Sequence, residues 1–318
     1  MTIPASASPA DTPVPRTSAR PHWQALLALL RPNQWSKNLV VVLLALVTDP
    51  MLPPDGYLRL AWMVCLFVLA SSMVYVLNDY ADRHRDRMHP KKQHRPIASG
   101  EVSPAEAIAL ALALIAGLLA LTAAGPWPSA WPVYIYLALN VAYSCHLKHV
   151  PLVDVLIVSC GFVLRAIAGC VVLSVPVSGW LLLVVLSGSL LLSLGKRRHE
   201  MIRASGDIHR PALAAYSVQL LDHLILLNSG IVIMATMTLF HTDLAPQYGQ
   251  DAMMFSAPFA VLLIFRYLQV VFVSGGGAEP ARLLLQDRLI VGIATVWAVV
   301  LIGLRVANLA GVQLTVGG

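Results

Sequence analysis

The 318-residue chain predicts an all-α, polytopic membrane bundle of about nine transmembrane helices. Three observations carry that expectation. Hydrophobic residues make up 58% of the chain and charged residues only 12%, where a soluble domain carries about 25% charged residues. Apolar runs near the ~20 residues that a helix needs to cross a bilayer recur along its length. The cations collect in alternate connections, the bias that orients membrane helices. No packed soluble core needs this much apolar sequence, and no nucleic-acid partner is expected.

The elements follow in order. Residues 1–21 are rich in Pro, Ser, Thr and Ala, with Arg16 and Arg20, and lack the apolar core of a signal peptide. They read as a disordered cytoplasmic tail, and 22–318 as one membrane-embedded domain. Trp23 to Leu30, ahead of Arg31-Pro32, suits an interfacial helix. Candidate spans lie at 36–49, 58–77, 105–124, 130–147, 151–173, 179–195, 217–240, 253–273 and 287–308. The first is the weakest, and a start within 23–35 would leave eight. Cys65, Cys145, Cys160 and Cys170 sit in or beside apolar runs without a CxxC pair, which suits membrane-core residues better than metal or disulfide chemistry.

Nine spans with the N-terminus inside place 18 of the 22 Lys and Arg on one side, the cytoplasmic side of an inner membrane. Only Arg59 and Arg305 fall outside, and Arg165 and Arg266 fall within spans. The outer connections 125–129 and 174–178 hold no ionisable side chain. An active site is therefore expected at the cytoplasmic mouth, built from 78–104 and 196–216 with help from 146–150 and 274–288.

The stretch from Asn78 to Gly100, NDYADRHRDRMHPKKQHRPIASG, concentrates charge in an ordered way. If the preceding helix continues past Leu77, Asn78, Asp82 and Asp86 are spaced i, i+4, i+8, and Asp79 joins Asp82 and Asp86 at i, i+3, i+7. Such spacing stacks side chains on one helix face. Two readings fit. The acids form a wall whose mutual repulsion Mg²⁺ would relieve, holding substrate phosphates as it does so. Or they belong to a solvated loop and pair with Arg83, Arg85 and Arg87. The basic loop that follows, with Lys92 and Arg95 between Pro90 and Pro96, favours the first reading, because a diphosphate wants metal on one side and cations on the other. His84, His89 and His94 have no zinc-like spacing and read as phosphate or loop contacts.

A second polar patch, Gly195-Lys196-Arg197-Arg198-His199-Glu200, closes the sixth span. It fits either a positive-inside stop signal or a functional group of bases with one acid. Arg165 lies inside the fifth span, three turns from Asp154. A charge at that depth costs several kcal/mol unless it faces a cavity or a partner. A phosphate and an internal salt bridge both remain open as its partner. Gly161, Ala166, Ala168 and Gly169 suit close helix packing around it.

These motifs resemble the UbiA-type superfamily of intramembrane polyprenyl-transferring enzymes over roughly 23–308. Within it the chain is similar to the branch that transfers phosphoribose. The similarity rests on RPNQWSKN at 31–38, the 78–100 stretch, YSCHLKH at 143–149, LRAIAG at 164–169, GKRRHE at 195–200, GGGAEP at 275–280 and Gln286-Asp287-Arg288. The branch's HPxKxxRPIAxG pattern is carried by His89, Pro90, Lys92, Arg95, Pro96, Ile97, Ala98 and Gly100. Aromatic prenyltransferases of the superfamily usually have two aspartates in the second motif, where this chain has Lys196, Arg197 and Glu200. Arg198-His199 departs from the branch's more usual Tyr-Ala, which leaves those two roles open.

The resemblance implies transfer of 5-phosphoribose from 5-phosphoribosyl 1-diphosphate to a polyprenyl (decaprenyl) phosphate, supplying a lipid-linked arabinofuranose donor for a glycan. It implies Mg²⁺ on Asn78, Asp79, Asp82 and Asp86, and phosphate contacts from Lys92, Arg95, Lys196 and Arg197. It further implies a ribose or metal contact at Glu200, and lipid-phosphate contacts at Lys148 and Arg165. The competing expectations are a Mg²⁺-dependent prenyltransferase acting on an aromatic acceptor, which needs a second acid pair, and a transporter, which would place ionisable groups near the midplane.

Overall fold

The computed structural model describes residues 21–48, 52–89, 92–203, 215–274 and 280–311. Most of the expected N-terminal tail, Pro90 and Lys91 of the basic loop, 204–214 and most of the 275–280 run lie outside them. The described residues form an all-α bundle without strands. Its helices are α1 (His22–Leu30), α2 (Val40–Thr48), α3 (Pro54–Arg87), α4 (Pro96–Ser99), α5 (Pro104–Ala123), α6 (Trp131–Cys145) and α7 (Val153–Leu173). They continue with α8 (Gly179–Arg203), α9 (Val218–Thr242), α10 (Ala245–Tyr248), α11 (Ala252–Phe272), α12 (Pro280–Gln286) and α13 (Arg288–Leu309). Seven of the described helices, α3, α5, α7, α8, α9, α11 and α13, are long and apolar enough to cross a membrane. The expected first span is instead a 3-10 stretch, Pro32–Leu39, followed by the nine-residue α2. The expected fourth span is the 15-residue α6. Both are shorter than the ~20 residues of a full crossing.

At 34 residues, α3 is about 51 Å long against a hydrocarbon core of about 30 Å. Its C-terminal turns, from Asn78 onward, therefore extend beyond the apolar part without breaking the helix. The helix closes at Met88, whose N–H bonds the Arg85 and Asp86 carbonyls, and His89 precedes a proline that disfavours further helix.

Two lobes share α7. Phe67, Met63 and Leu60 of α3 pack with Val133 and Tyr136 of α6 and with Leu164 and Ala168 of α7. In the other lobe Val155 of α7 packs with Leu191 and Leu194 of α8, Leu221 and Ile225 of α9 and Tyr267 of α11. Gly169 lets α2 approach α7 closely, because a Cβ there would collide with the Val41 carbonyl oxygen. The α5 N-terminus carries a reciprocal capping box between Ser103 and Glu106, worth about 1 kcal/mol.

Candidate active site

The C-terminal turns of α3 carry Asn78, Asp79, Asp82 and Asp86, as the helical spacing predicts. Asp79 and Asp86, seven residues apart, share the inward side and are 3% and 2% exposed. Their partners are not the nearby arginines. Arg83 donates to the Tyr80 carbonyl and lies over the Tyr80 ring. Arg87 donates to the Ala98 carbonyl. Only Arg85 approaches an acid, 3.9 Å from Asp82. The neutralising charges come from farther along the chain. Arg95 bridges the wall, with one guanidinium nitrogen 3.0 Å from Asp79 and 2.7 Å from Asp86. Arg31 holds Asp79 at 2.6 Å and lies over the Tyr75 ring. Lys148, in the 3-10 turn Leu147–His149, stands 3.7 Å from Asp82. Ser144 of α6 donates to the Asn78 amide oxygen at 2.7 Å.

Local structure fixes Arg95. Pro96, Ile97 and Ala98 of α4 are buried. Ile97 packs with Ala25 and Leu29 of α1 and Val76 of α3. Gly100 ends α4 at φ 86°, a backbone that favours glycine. The RPIASG stretch is thus a clamp that holds the Arg95 guanidinium against α3. Lys92 donates its backbone N–H to His89 Nδ1 at 3.3 Å, in the turn before that clamp.

The second patch divides. Arg197 is buried, donating to Asp154 at 2.9 Å and to Glu200 at 2.7 Å. Asp154, itself 1% exposed, also accepts from the Tyr216 hydroxyl at 2.9 Å. That hydroxyl in turn accepts the N–H of Leu152 at 2.6 Å, a residue at φ 66°. Arg198 pairs with Asp222 at 2.5 Å, donates to the Val271 carbonyl and lies over Phe272. Lys196 alone of the three consecutive cations is exposed. Arg197 thus ties α8 to α7 and, through Asp154 and Tyr216, to the segment before α9, and it holds Glu200.

Arg165 does not reach Asp154. Its guanidinium donates to Asn38 Oδ1 and to the Gly161 carbonyl, both at 2.8 Å. The faces of Tyr136, Phe67 and Phe162 lie 4.6, 5.3 and 5.5 Å away. Among the described residues it has no carboxylate partner. The salt bridge envisaged for Arg165 is made by Arg197.

Residue spacing gave no warning of Arg31, Lys37, Asn38, Tyr216 or Asp222. The available signal for the first three was a polar island, RPNQWSKN, standing between apolar runs. Arg266, expected within a span, holds Asp287 at 2.8 Å. Asp287 also caps α13 through the N–H groups of Leu289 and Ile290.

The donor set suits a divalent metal. Three carboxylates and an amide on adjacent turns are hard oxygen ligands. The Arg95 nitrogen lodged between Asp79 and Asp86 marks where a cation is needed. Three metal-ligating side chains do not converge on one point among the described residues.

An all-helical bundle of membrane-crossing length thus carries an acidic helix end held by a basic clamp. The chain belongs to the UbiA prenyltransferase family, which it matches over residues 38–286. It is 33% identical to a decaprenyl-phosphate phosphoribosyltransferase of Corynebacterium glutamicum, over 86% of this chain and 84% of that one. It is 35% identical to the Mycobacterium tuberculosis protein of the same name, over 84% of this chain and 90% of that one. It is also similar to the solved structure of a UbiA homolog from Archaeoglobus fulgidus bound to GPP and Mg²⁺. There the TM-score is 0.64 at 17% identity, over 91% of this chain and 99% of that one. At that identity the likeness is one of fold.

Proposed function

We propose that this protein transfers 5-phosphoribose from 5-phosphoribosyl 1-diphosphate to a polyprenyl phosphate, decaprenyl phosphate by likeness to its relatives, and releases diphosphate. The observation that carries this reading is the state of the second patch. A prenyl-diphosphate enzyme of the family would be expected to have two free aspartates there. Here the one acid of that patch, Glu200, is bound by the buried Arg197, which also holds Asp154 of α7. The names of the relatives point the same way.

The chemistry suits the residues. A phosphate oxygen of the acceptor attacks C1 of the ribose. The bond from C1 to the diphosphate oxygen breaks, and its electron pair leaves with diphosphate. The nucleophile is already an anion, so no strong general base is required. What remains is to receive the growing charge on the leaving group. Arg31 and Arg95 stand at the acidic wall with donors for that purpose, and Lys92 and Lys148 flank it. Asn78, Asp79, Asp82 and Asp86 would hold Mg²⁺, which when bound neutralises diphosphate oxygens. Glu200, held by Arg197, is the candidate for a ribose hydroxyl. The site would face the cytoplasm from the inner membrane, within one transferase unit running from residue 22. The product would supply a lipid-linked pentose for glycan arabinosylation.

The test is transfer in membranes containing the protein. Labelled phosphoribosyl diphosphate with decaprenyl phosphate and Mg²⁺ should yield a labelled lipid and free diphosphate. Transfer from a prenyl diphosphate to an aromatic acceptor, with none from this pair, would overturn the reading.

A further inference from the structure

Lys37 lies in the 3-10 stretch Pro32–Leu39, next to Asn38, and is half-buried. Among the described residues neither a carboxylate nor a hydrogen-bond acceptor pairs with it. The charges that act on it are positive: Lys196 from α8, Arg165 from α7 and Arg31. Arg165 is held one residue along, on Asn38, and among the described residues also lacks a carboxylate. Among the described residues, the acids of the acidic wall and the second patch are engaged elsewhere. Asp79 and Asp86 are on Arg31 and Arg95, Asp82 faces Lys148, and Asp154 and Glu200 are on Arg197.

Like charges brought together out of water disfavour one another, and a cation within a membrane bundle needs a partner. Arg165 of α7 meets the Lys37 stretch through Asn38, and Lys196 of α8 adds positive charge from a third segment. Packing alone would be served as well by neutral side chains at 37. The missing partner is an anion, and with no acid facing Lys37 among the described residues that anion needs no metal to bridge it.

We propose that Lys37, backed by Arg165 through Asn38, forms the core of a metal-independent subsite for a phosphate monoester, separate from the acidic wall proposed to receive the diphosphate. The inference rests on the phosphoribosyl-transfer reading only for the source of the phosphate. Either the acceptor lipid's head group or the donor's 5-phosphate supplies it. The subsite would then place one end of the reacting pair, while the wall places the other.

The test uses the full-length protein in detergent with EDTA present, titrated calorimetrically with ribose 5-phosphate and separately with geranyl phosphate. The wild type should bind at least one of them. Lys37→Gln should weaken that binding about tenfold or more, the size expected for losing a charged hydrogen bond. Lys37→Arg should stay within about threefold of wild type. A response to ribose 5-phosphate alone assigns the subsite to the donor; a response to geranyl phosphate alone assigns it to the acceptor. A second readout covers the case in which Lys37→Gln does not fold. Acylation of Lys37 in the wild type, followed by mass spectrometry, should be slowed by the compound that binds. Binding of neither compound, unchanged affinity in Lys37→Gln, or no protection of Lys37 each overturns the proposal. A negative transfer assay with EDTA-resistant binding intact would sink the activity and spare the subsite. Normal transfer, with both KM values unchanged in Lys37→Gln, would sink the subsite and spare the activity.

Discussion

Arg95 carries two carboxylates on one guanidinium nitrogen, so the wall is electrically quiet before a substrate arrives. Asp82 differs, because it is partly exposed and its nearest cations stand 3.7 and 3.9 Å away. It is therefore the acid most available to a metal. Asp82→Ala should lower Mg²⁺-dependent transfer in detergent about 10²- to 10³-fold, the range for removing one charge-stabilising group. Asp86→Ala should do the same while leaving Arg95 on Asp79. Turnover that survives both changes would sink the metal site. Lys37 supplies a pH prediction. Burial first, then the charges of Lys196, Arg165 and Arg31, push its ammonium down to about 8. A pKa lowered below the usual lysine value means that the cation is present below about 8 and lost as pH rises through it. A bound dianion favours the cation. Phosphate-monoester binding in EDTA should therefore fall between pH 7 and 9 in the wild type, and should stay level in Lys37→Arg, whose guanidinium does not titrate there.

At the scale of elements, buried polar ties fix how helices meet. The Asp154–Arg197–Tyr216 network joins the start of α7 and the segment before α9 to the end of α8. Removing one member of a buried pair costs about 3–5 kcal/mol, because its partner is left charged and dry. Asp154→Ala should lower the detergent Tm markedly, and adding Arg197→Met should recover much of the loss. If the double variant is no more stable than the single one, the two charges are not coupled. Gly169→Leu should force α2 away from α7, since the obstacle is the Val41 carbonyl rather than a movable side chain. A cost of about 1–3 kcal/mol or more follows from overpacking, read as lower folded yield, while Gly292→Leu, with open space around it, should be tolerated.

The whole molecule concentrates its chemistry at one end. The acidic wall, the RPIASG clamp, Lys148 and the second patch all belong to helix ends or to the short connections beyond them. The opposite end of α3 carries only the exposed Asp55–Arg59 pair. In the proposed orientation, read from the cation bias, the chemical end would face the cytoplasm. In a background with Cys65 and Cys145 changed to Ser, His94→Cys should react with an impermeant maleimide only in inverted vesicles. Ser129→Cys should react only in intact spheroplasts. Reversed labelling would turn the mouth outward and exclude a soluble cytoplasmic donor.

The sequence by itself determined the all-α membrane class, most of the helix positions and the acidic wall. Those features are written in local patterns: apolar run length, spacing of three and four, prolines and glycines at helix ends. It also located Arg95, through a motif whose apolar residues Pro96, Ile97 and Ala98 turned out to be its anchor. Only the tertiary structure decided which charge meets which. Asp79 passes over its neighbours Arg83 and Arg85 for Arg31 and Arg95. Asp154 takes Arg197 rather than Arg165 on its own helix. Lys37 is brought among cations that no spacing connects. The physical reason is that a long charged side chain reaches several ångströms in any direction its helix allows. Its partner is set by how the helices pack, and that information is spread across the chain rather than held in any one stretch.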